Sequence, residues 1–274
     1  MPQKYWSMTE GIFNCLIDKE RTIAFRKAIY KTIKAGDIVV DGGTGSGIFA
    51  MFAADAGAKR VYALEWDSRN YTILKETFAL NGYKDKIILI KGDARKVELP
   101  EKIDVIICEM IATGLIEELQ VPAMNHLLSF AKPNVKVILN AIENYAELVF
   151  SNEIFYDHKM KIIQYEYSGI ENLQSKPKSG QVMYKKISFS KINNDNRVDA
   201  SINLKILRGG VVNGIRISSR TVFYDGSTFN SSFAYCYPII LPIENVNTKK
   251  GDEFLLKLSY RMCEGFQSLK YSIS

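Results

Sequence analysis

Residues 8–35 carry apolar side chains at helical spacing, Ile12 and Leu16 followed by Phe25, Ile29 and Ile33, and Gly36 marks a stop. Ile38, Val39 and Val40 then form a short continuous apolar run, the pattern of a parallel strand buried on both faces. The following periods predict a helix over 48–56, a strand over 60–65, a helix over 68–81 and a strand over 87–91. A strand over 103–108, a helix over 115–130 and a strand over 135–139 complete the first half. Strands alternating with helices through short connections predict an α/β fold with a doubly wound, Rossmann-like sheet.

Beyond about residue 140 the period changes. Runs at 147–150, 161–167, 183–189, 200–207, 211–223, 237–241, 253–260 and 270–274 read as strands. Turn-rich pieces such as Asn193–Asn196, Arg208–Gly210 and Asp225–Ser227 part them. Many short strands at even spacing predict an all-β barrel or sandwich. No internal repeat or low-complexity linker intervenes, so two parts packed together are expected, residues 1–142 and 143–274.

Composition narrows the class. No stretch approaches the ~18–20 uninterrupted apolar residues of a membrane span, so no membrane partner is expected. The N-terminal stretch has acidic residues close behind a short apolar run and no small-residue cleavage site, unlike a secretory signal. Cys15, Cys108, Cys236 and Cys263 lie far apart without metal-ligand spacing, and His126 and His158 are too few for a histidine-rich site. Reduced thiols, a cytoplasmic location and no structural metal follow as expectations. The formal charge of +6 is scattered, which permits weak attraction to nucleic acid without demanding it.

The candidate chemistry starts where the first strand runs into Asp41-Gly42-Gly43-Thr44-Gly45-Ser46-Gly47 and then a helix. Glycines let a backbone turn sharply and approach a ligand, and a helix start offers unpaired N–H groups. Dinucleotide sites share that grammar. Here Gly42-Gly43 with Gly45-x-Gly47 more closely resembles the GxGxG loop of class I S-adenosylmethionine-dependent methyltransferases. The next strand ends in Glu65, where a carboxylate can accept both ribose hydroxyls. The third ends in Gly92-Asp93-Ala94, where a carboxylate or nearby backbone can read an adenine amino group.

The fourth strand ends in Glu109, with Glu118 nine residues on. Strand carboxyl ends face the ligand crevice in open α/β folds. Two carboxylates converging there suit the forked, permanently charged guanidinium of arginine. Alternatively, Glu117 and Glu118 are first-turn helix residues favoured by the dipole and Glu109 is a lone strand-end acid.

A resemblance makes the reading more specific. Asp18-Lys19-Glu20-Arg21-Thr22 with Phe25-Arg26, the run Gly45–Ala54, Ala56–Val61, Lys91-Gly92-Asp93, Val97–Pro100 and Asp104–Glu109 resemble the protein arginine N-methyltransferases. The Glu109-to-Glu118 interval equals the spacing of that family's double-glutamate loop. Similarity is continuous over roughly residues 8–140, and the β half fits the family's C-terminal barrel. The resemblance implies methyl transfer from S-adenosylmethionine to a guanidinium nitrogen of a protein or peptide arginine. Arg21 would bind the cofactor's carboxylate, Glu65 the ribose, and Asp93 or its neighbour Ala94 the adenine. Asp41, Gly42, Gly43, Thr44, Gly45 and Gly47 would form the cofactor loop, and Glu109 and Glu118 would clamp the acceptor. The alternative for Arg21 is a surface ion pair with Asp18 or Asp37, worth little by itself.

The family's His-Trp loop is missing. Its region reads Ser232 to Ile243, SFAYCYPIILPI, closer to the Phe-Ser-Trp version and Pro-Ile run of the symmetric-dimethylating branch. Tyr5 and Trp6 stand in place of the family's paired tyrosines. The second half is short for a barrel with a helical dimerisation arm, so the usual ring dimer is not expected. An RNA or small-molecule acceptor, or a catalytically weak cofactor-binding scaffold, are the alternatives.

Overall fold

The computed structural model describes residues 9–167 and 174–274 of the 274-residue chain, so Tyr5 and Trp6 lie outside the described residues. The helical stretch at the start is two helices, α1 (Thr9–Ile17) and α2 (Lys19–Thr32). Asp18 divides them because its carboxylate caps α2, accepting from the Arg21 N–H at 3.1 Å. Phe25, Ala28 and Ile29 turn the buried face of α2 to the core.

The core of the first half is a five-stranded parallel sheet of β1 (Ile38–Gly42), β2 (Arg60–Glu65), β3 (Ile87–Lys91), β4 (Ile103–Cys108) and β5 (Ala131–Val137), in the order β3-β2-β1-β4-β5. Helices α3 (Ile48–Asp55), α4 (Ser68–Leu80) and α5 (Gln120–Leu127) connect them. All five residues of β1 are buried, as its unbroken apolar run requires. The strand order reverses at β1, between β2 and β4, and there the carboxyl ends part to leave a crevice. Register places Gly42 opposite both Leu64 and Cys108, so Gly42, Glu65 and Glu109 come to one edge.

The helix predicted over 115–130 is a correction. Only Gln120–Leu127 is α-helical, with short 3-10 turns at Thr113–Leu115 and Leu128–Phe130. Gly114, Leu115 and Glu118 take left-handed φ of 71°, 56° and 49°, which ends a helix. The carbonyls of Leu115 and Ile116 accept instead from the backbone N–H groups of Cys263 and Gly265, each at 2.8 Å. Glu117 and Glu118 therefore precede the helix and are not its first turn.

After Val137 the chain passes almost directly into β6 (Leu139–Phe150), with β7 (Ile154–Phe155), β8 (His158–Lys159), β9 (Gln164–Tyr165) and β10 (Lys176–Pro177) behind it. Then follow β11 (Val182–Ser188), β12 (Arg197–Lys205), β13 (Gly210–Phe223), β14 (Thr228–Phe229), β15 (Ile239–Thr248), β16 (Glu253–Arg261) and β17 (Lys270–Ile273). The path β10-β6-β13-β15-β9, with β11 added on β6 and β14 on β13, makes a seven-stranded sheet. Strands β12-β16-β17 form a second sheet, and β7-β8 a hairpin. These are antiparallel sheets, and the strand pairings among the described residues do not close into the expected barrel, because β12, β16 and β17 pair with one another and not with the large sheet. Ile138 joins the halves: its N–H donates to Ile106 in β4 at 2.9 Å, and its carbonyl accepts from Tyr224 at 3.0 Å. The strand predicted over 237–241 starts only at Ile239, leaving 232–237 as a loop against the crevice.

Candidate active site

Gly43, Gly45 and Gly47 have left-handed φ of 76°, 56° and 78°. Gly47 caps α3 in that conformation, and a Cβ there would lie 2.6 Å from the Phe78 ring. The loop is braced beneath: Thr44 Oγ1 donates to Asp41 Oδ2 at 2.6 Å, and the Thr44 N–H to the Leu64 carbonyl at 2.9 Å. Asp41 is buried, and that burial lifts its carboxyl to about 7 against the lowering effect of the Thr44 hydroxyl. It acts on the loop from below.

Glu65 sits at the end of β2 with both oxygens in use. Oε1 accepts from the Asp67 N–H at 2.8 Å and Oε2 from Asn70 Nδ2 at 2.6 Å, while burial raises its pKa. The same Asn70 amide donates to the Gly45 carbonyl at 2.7 Å, tying the acid to the glycine loop. Asp93 reaches the same edge but forks onto Arg95, with Oδ2 accepting from Nη2 at 2.6 Å, a bond that lowers the carboxyl's pKa. Ala94 is buried beside it.

Arg21 is no surface residue. It is 5% exposed, its guanidinium hydrogen-bonds and ion-pairs with Glu109, and Nη1 donates to the Cys15 carbonyl at 3.1 Å. The rings of Phe49, Phe25 and Tyr235 surround it at 4.9, 5.4 and 5.9 Å. Burial opposes its charge, and the adjacent Glu109 outweighs that, so the guanidinium is held firmly protonated. Its Nε remains buried without a partner among the described residues.

Asp18 does more than cap α2. Its Oδ2 accepts from Ser232 Oγ at 2.6 Å and from the Ala234 N–H at 2.8 Å, which fastens the loop after β14 to the N-terminal helices. This loop brings the Tyr235 ring onto Arg21 and Cys236 Sγ to 3.9 Å from the Ile111 carbonyl.

The two glutamates are brought together, and they differ. Glu109 uses Oε2 for Arg21 and Oε1 to accept from the Ile111 N–H at 3.1 Å. Glu118 has no hydrogen-bond or ion-pair partner among the described residues; burial first, then the charges of Glu109 and Glu117, push it up to about 8. Buried side chains hold the loop between them. The Gly114 N–H donates to Ser219 Oγ at 2.8 Å and its carbonyl accepts from Tyr260 Oη at 2.6 Å. Thr113 Oγ1 donates to the Tyr237 carbonyl at 2.7 Å. Gln120, fully buried, accepts from the Met110 N–H at 2.8 Å and donates to the Cys108 carbonyl at 3.0 Å, bracketing Glu109 on both sides. None of Asn70, Gln120, Ser219, Ser232 or Tyr260 was singled out from sequence. Only Gln120, a polar residue within an apolar helical run, carried even a faint signal.

The family model for ribosomal protein L11 methyltransferase (PrmA) matches residues 22–160. An uncharacterized protein of Methanocaldococcus jannaschii is 34% identical over 95% of this chain and 95% of its own. A probable protein arginine N-methyltransferase 6 of Arabidopsis thaliana is 41% identical over 37% of this chain, which is 23% of that protein. The solved Trypanosoma brucei PRMT1 enzyme–prozyme heterotetrameric complex with AdoHcy aligns with a TM-score of 0.79 at 16% identity, covering 96% of each chain. The chain belongs to the class I S-adenosylmethionine-dependent methyltransferases. Within that class it has the protein arginine methyltransferase fold. Among the described residues, no helix is long and apolar enough to cross a membrane.

Proposed function

We propose that the chain methylates a guanidinium nitrogen of arginine in a protein or peptide. One observation carries this: the crevice holds two carboxylates near enough for the charge of one to raise the pKa of the other, Glu109 already bearing the guanidinium of Arg21 and Glu118 without a partner among the described residues. Residues 1–142 bind the cofactor and 143–274 shape the acceptor side. The thiols are free, which suits a reducing cytoplasm.

The residues fit S-adenosylmethionine. The orphaned Nε of Arg21 is a donor for its carboxylate, the left-handed turns at Gly43, Gly45 and Gly47 let the loop backbone bend beneath it, Glu65 meets the ribose, and Asp93 or the Ala94 backbone the adenine. Bound there, the cofactor supplies an electrophilic sulfonium methyl. Glu118 holds the acceptor guanidinium, draws positive charge from the attacking nitrogen and takes up the proton that nitrogen sheds. Its raised basicity suits that last task. Glu109 keeps Arg21 in place and supplies the second negative charge. Most of the rate gain comes from proximity and electrostatic preorganisation.

The reading is tested by incubating the protein with tritiated cofactor and separate arginine-peptide, RNA and small-molecule fractions. Label in the peptides is expected, and label in RNA alone overturns it. A pH dependence follows as well. Glu118 must be ionised to hold a cation, so kcat/KM should climb from pH 6 and level off above about 8, with the climb lost in Glu118→Gln. Stability runs the other way. The folded-state pKa lies above the ordinary value of 4.5, so the stability that protonated Glu118 contributes is full below 4.5 and is lost as pH rises through about 8. Thermal midpoints of Glu118→Gln should therefore improve relative to the unaltered protein between pH 5 and pH 9.

A further inference from the structure

Three tyrosine rings stand beside the loop that carries Glu117 and Glu118. Tyr167 and Tyr237 have ring centroids 4.9 Å apart, Tyr165 and Tyr237 5.6 Å at 82°, and Tyr165 and Tyr167 6.2 Å. These are contact distances, so the rings make a continuous aromatic wall and not an enclosed cage. The wall is anchored at several points. Tyr165 pairs with Ile239 in the β9–β15 ladder, and the Glu166 N–H donates to the Pro238 carbonyl at 2.9 Å. Arg216 Nε holds Glu166 at 2.6 Å, and the Thr113 hydroxyl joins Tyr237 to the glutamate loop. None of the three phenol groups has a hydrogen-bond partner among the described residues, and Tyr167 is 36% exposed.

Glu117 is the second half of the feature. Its side chain is partly buried, and it has no ion-pair or hydrogen-bond partner among the described residues. On the segment that carries Tyr165 and Tyr167 the acid is neutralised by contrast, Arg216 bridging Glu166 and Glu147 at 2.6 Å each. Packing alone accounts for three touching rings, but not for a neighbouring carboxylate left without a cation. Ring faces and a partly desolvated carboxylate attract the same ligand, a positive side chain.

We propose that Tyr165, Tyr167, Tyr237 and Glu117 form a subsite for a lysine or arginine next to the acceptor arginine in the substrate polypeptide. The inference rests on Glu118 binding the acceptor: Glu117 and Glu118 are adjacent in the chain, so the two subsites serve neighbouring substrate residues.

The test compares two peptides with one arginine each, flanked by lysine in one and by uncharged norleucine in the other. Their binding is measured by calorimetry with S-adenosylhomocysteine present. The lysine peptide should bind about tenfold tighter, within the range of a partly desolvated cation–π contact supported by a carboxylate. Tyr167→Ala and Glu117→Gln should each shrink that ratio towards one. Glu118→Gln should lose turnover while keeping the ratio. Equal binding of the two peptides, or a ratio that survives both Tyr167→Ala and Glu117→Gln, overturns the subsite and leaves arginine methylation standing. If neither peptide binds or is methylated, the arginine reading fails. Tetramethylammonium titrated against tyrosine fluorescence then reads the wall by itself: quenching that disappears in Tyr167→Ala supports it, and no quenching overturns it.

Discussion

Glu118→Gln is expected to lower turnover of an arginine peptide by ~10²-fold or more while S-adenosylhomocysteine affinity changes by less than about threefold, as for loss of one preorganised transition-state contact. Glutamine keeps the shape but cannot neutralise a cation or accept a proton. Because Glu118 touches no other described side chain by hydrogen bond or ion pair, no positioned neighbour should be lost, and the fold should gain stability above pH 5. Glu109→Gln should behave differently. It removes the charge partner of a buried arginine side chain, and an uncompensated buried charge costs roughly 3–5 kcal/mol. Loss of folding stability and of cofactor affinity should therefore accompany the loss of turnover. Single-turnover rates, calorimetric cofactor binding and thermal unfolding of the two variants separate these outcomes. Unchanged turnover in Glu118→Gln removes it from the mechanism, and unchanged cofactor binding in Glu109→Gln means that Arg21 holds its position without it.

That asymmetry was not legible in the sequence, although the residues were. The spacing of Glu109 and Glu118 suggested an equivalent pair, yet Arg21, which occupies one of them, lies 88 positions away in the chain. Strands β2, β3 and β4 begin and end where the apolar runs do, because a short continuous apolar run bounded by polar turns announces a strand locally, whether it is buried like β2 and β4 or part-exposed at the sheet edge like β3. The failures share a cause. The helix expected from residue 115 is undone by left-handed Leu115 and Glu118, neither of them glycine, and by Cys263, Ser219 and Tyr260 gripping the loop from more than 100 residues away. The sequence offers Asp18 as a surface ion-pair partner for Arg21. Its bonds to Ser232 and Ala234 show a latch between the N-terminal helices and the β half. Position in a loop says nothing of such partners. The loop in the region where the resemblance leads one to expect a His-Trp pair is fixed by Asp18 and presents Tyr235 to Arg21.

The glycine loop supports the second large effect. Gly47→Ala is expected to destabilise the fold by roughly 2–4 kcal/mol and to weaken S-adenosylhomocysteine binding by at least tenfold, combining two costs. The first is conformational: at φ 78° an L side chain crowds its own carbonyl, about 1–2 kcal/mol. The second is overlap. The new methyl would stand 2.6 Å from Phe78 Cε1 and 2.8 Å from Leu74 Cδ2, and neither side chain can yield easily, since both are buried in the face of α4 that packs on the sheet. Relief must come from the loop, which is where the cofactor is proposed to lie. Gly82 offers an internal control, because its φ is 77° and nothing lies within 4 Å of the site of its Cβ. Gly82→Ala should show the conformational cost alone, with cofactor affinity intact. Thermal unfolding and calorimetric binding of the two variants isolate the packing contribution by difference. If Gly47→Ala proves no worse than Gly82→Ala in both measurements, the loop is not held against α4, and its place as the floor of the cofactor site is lost.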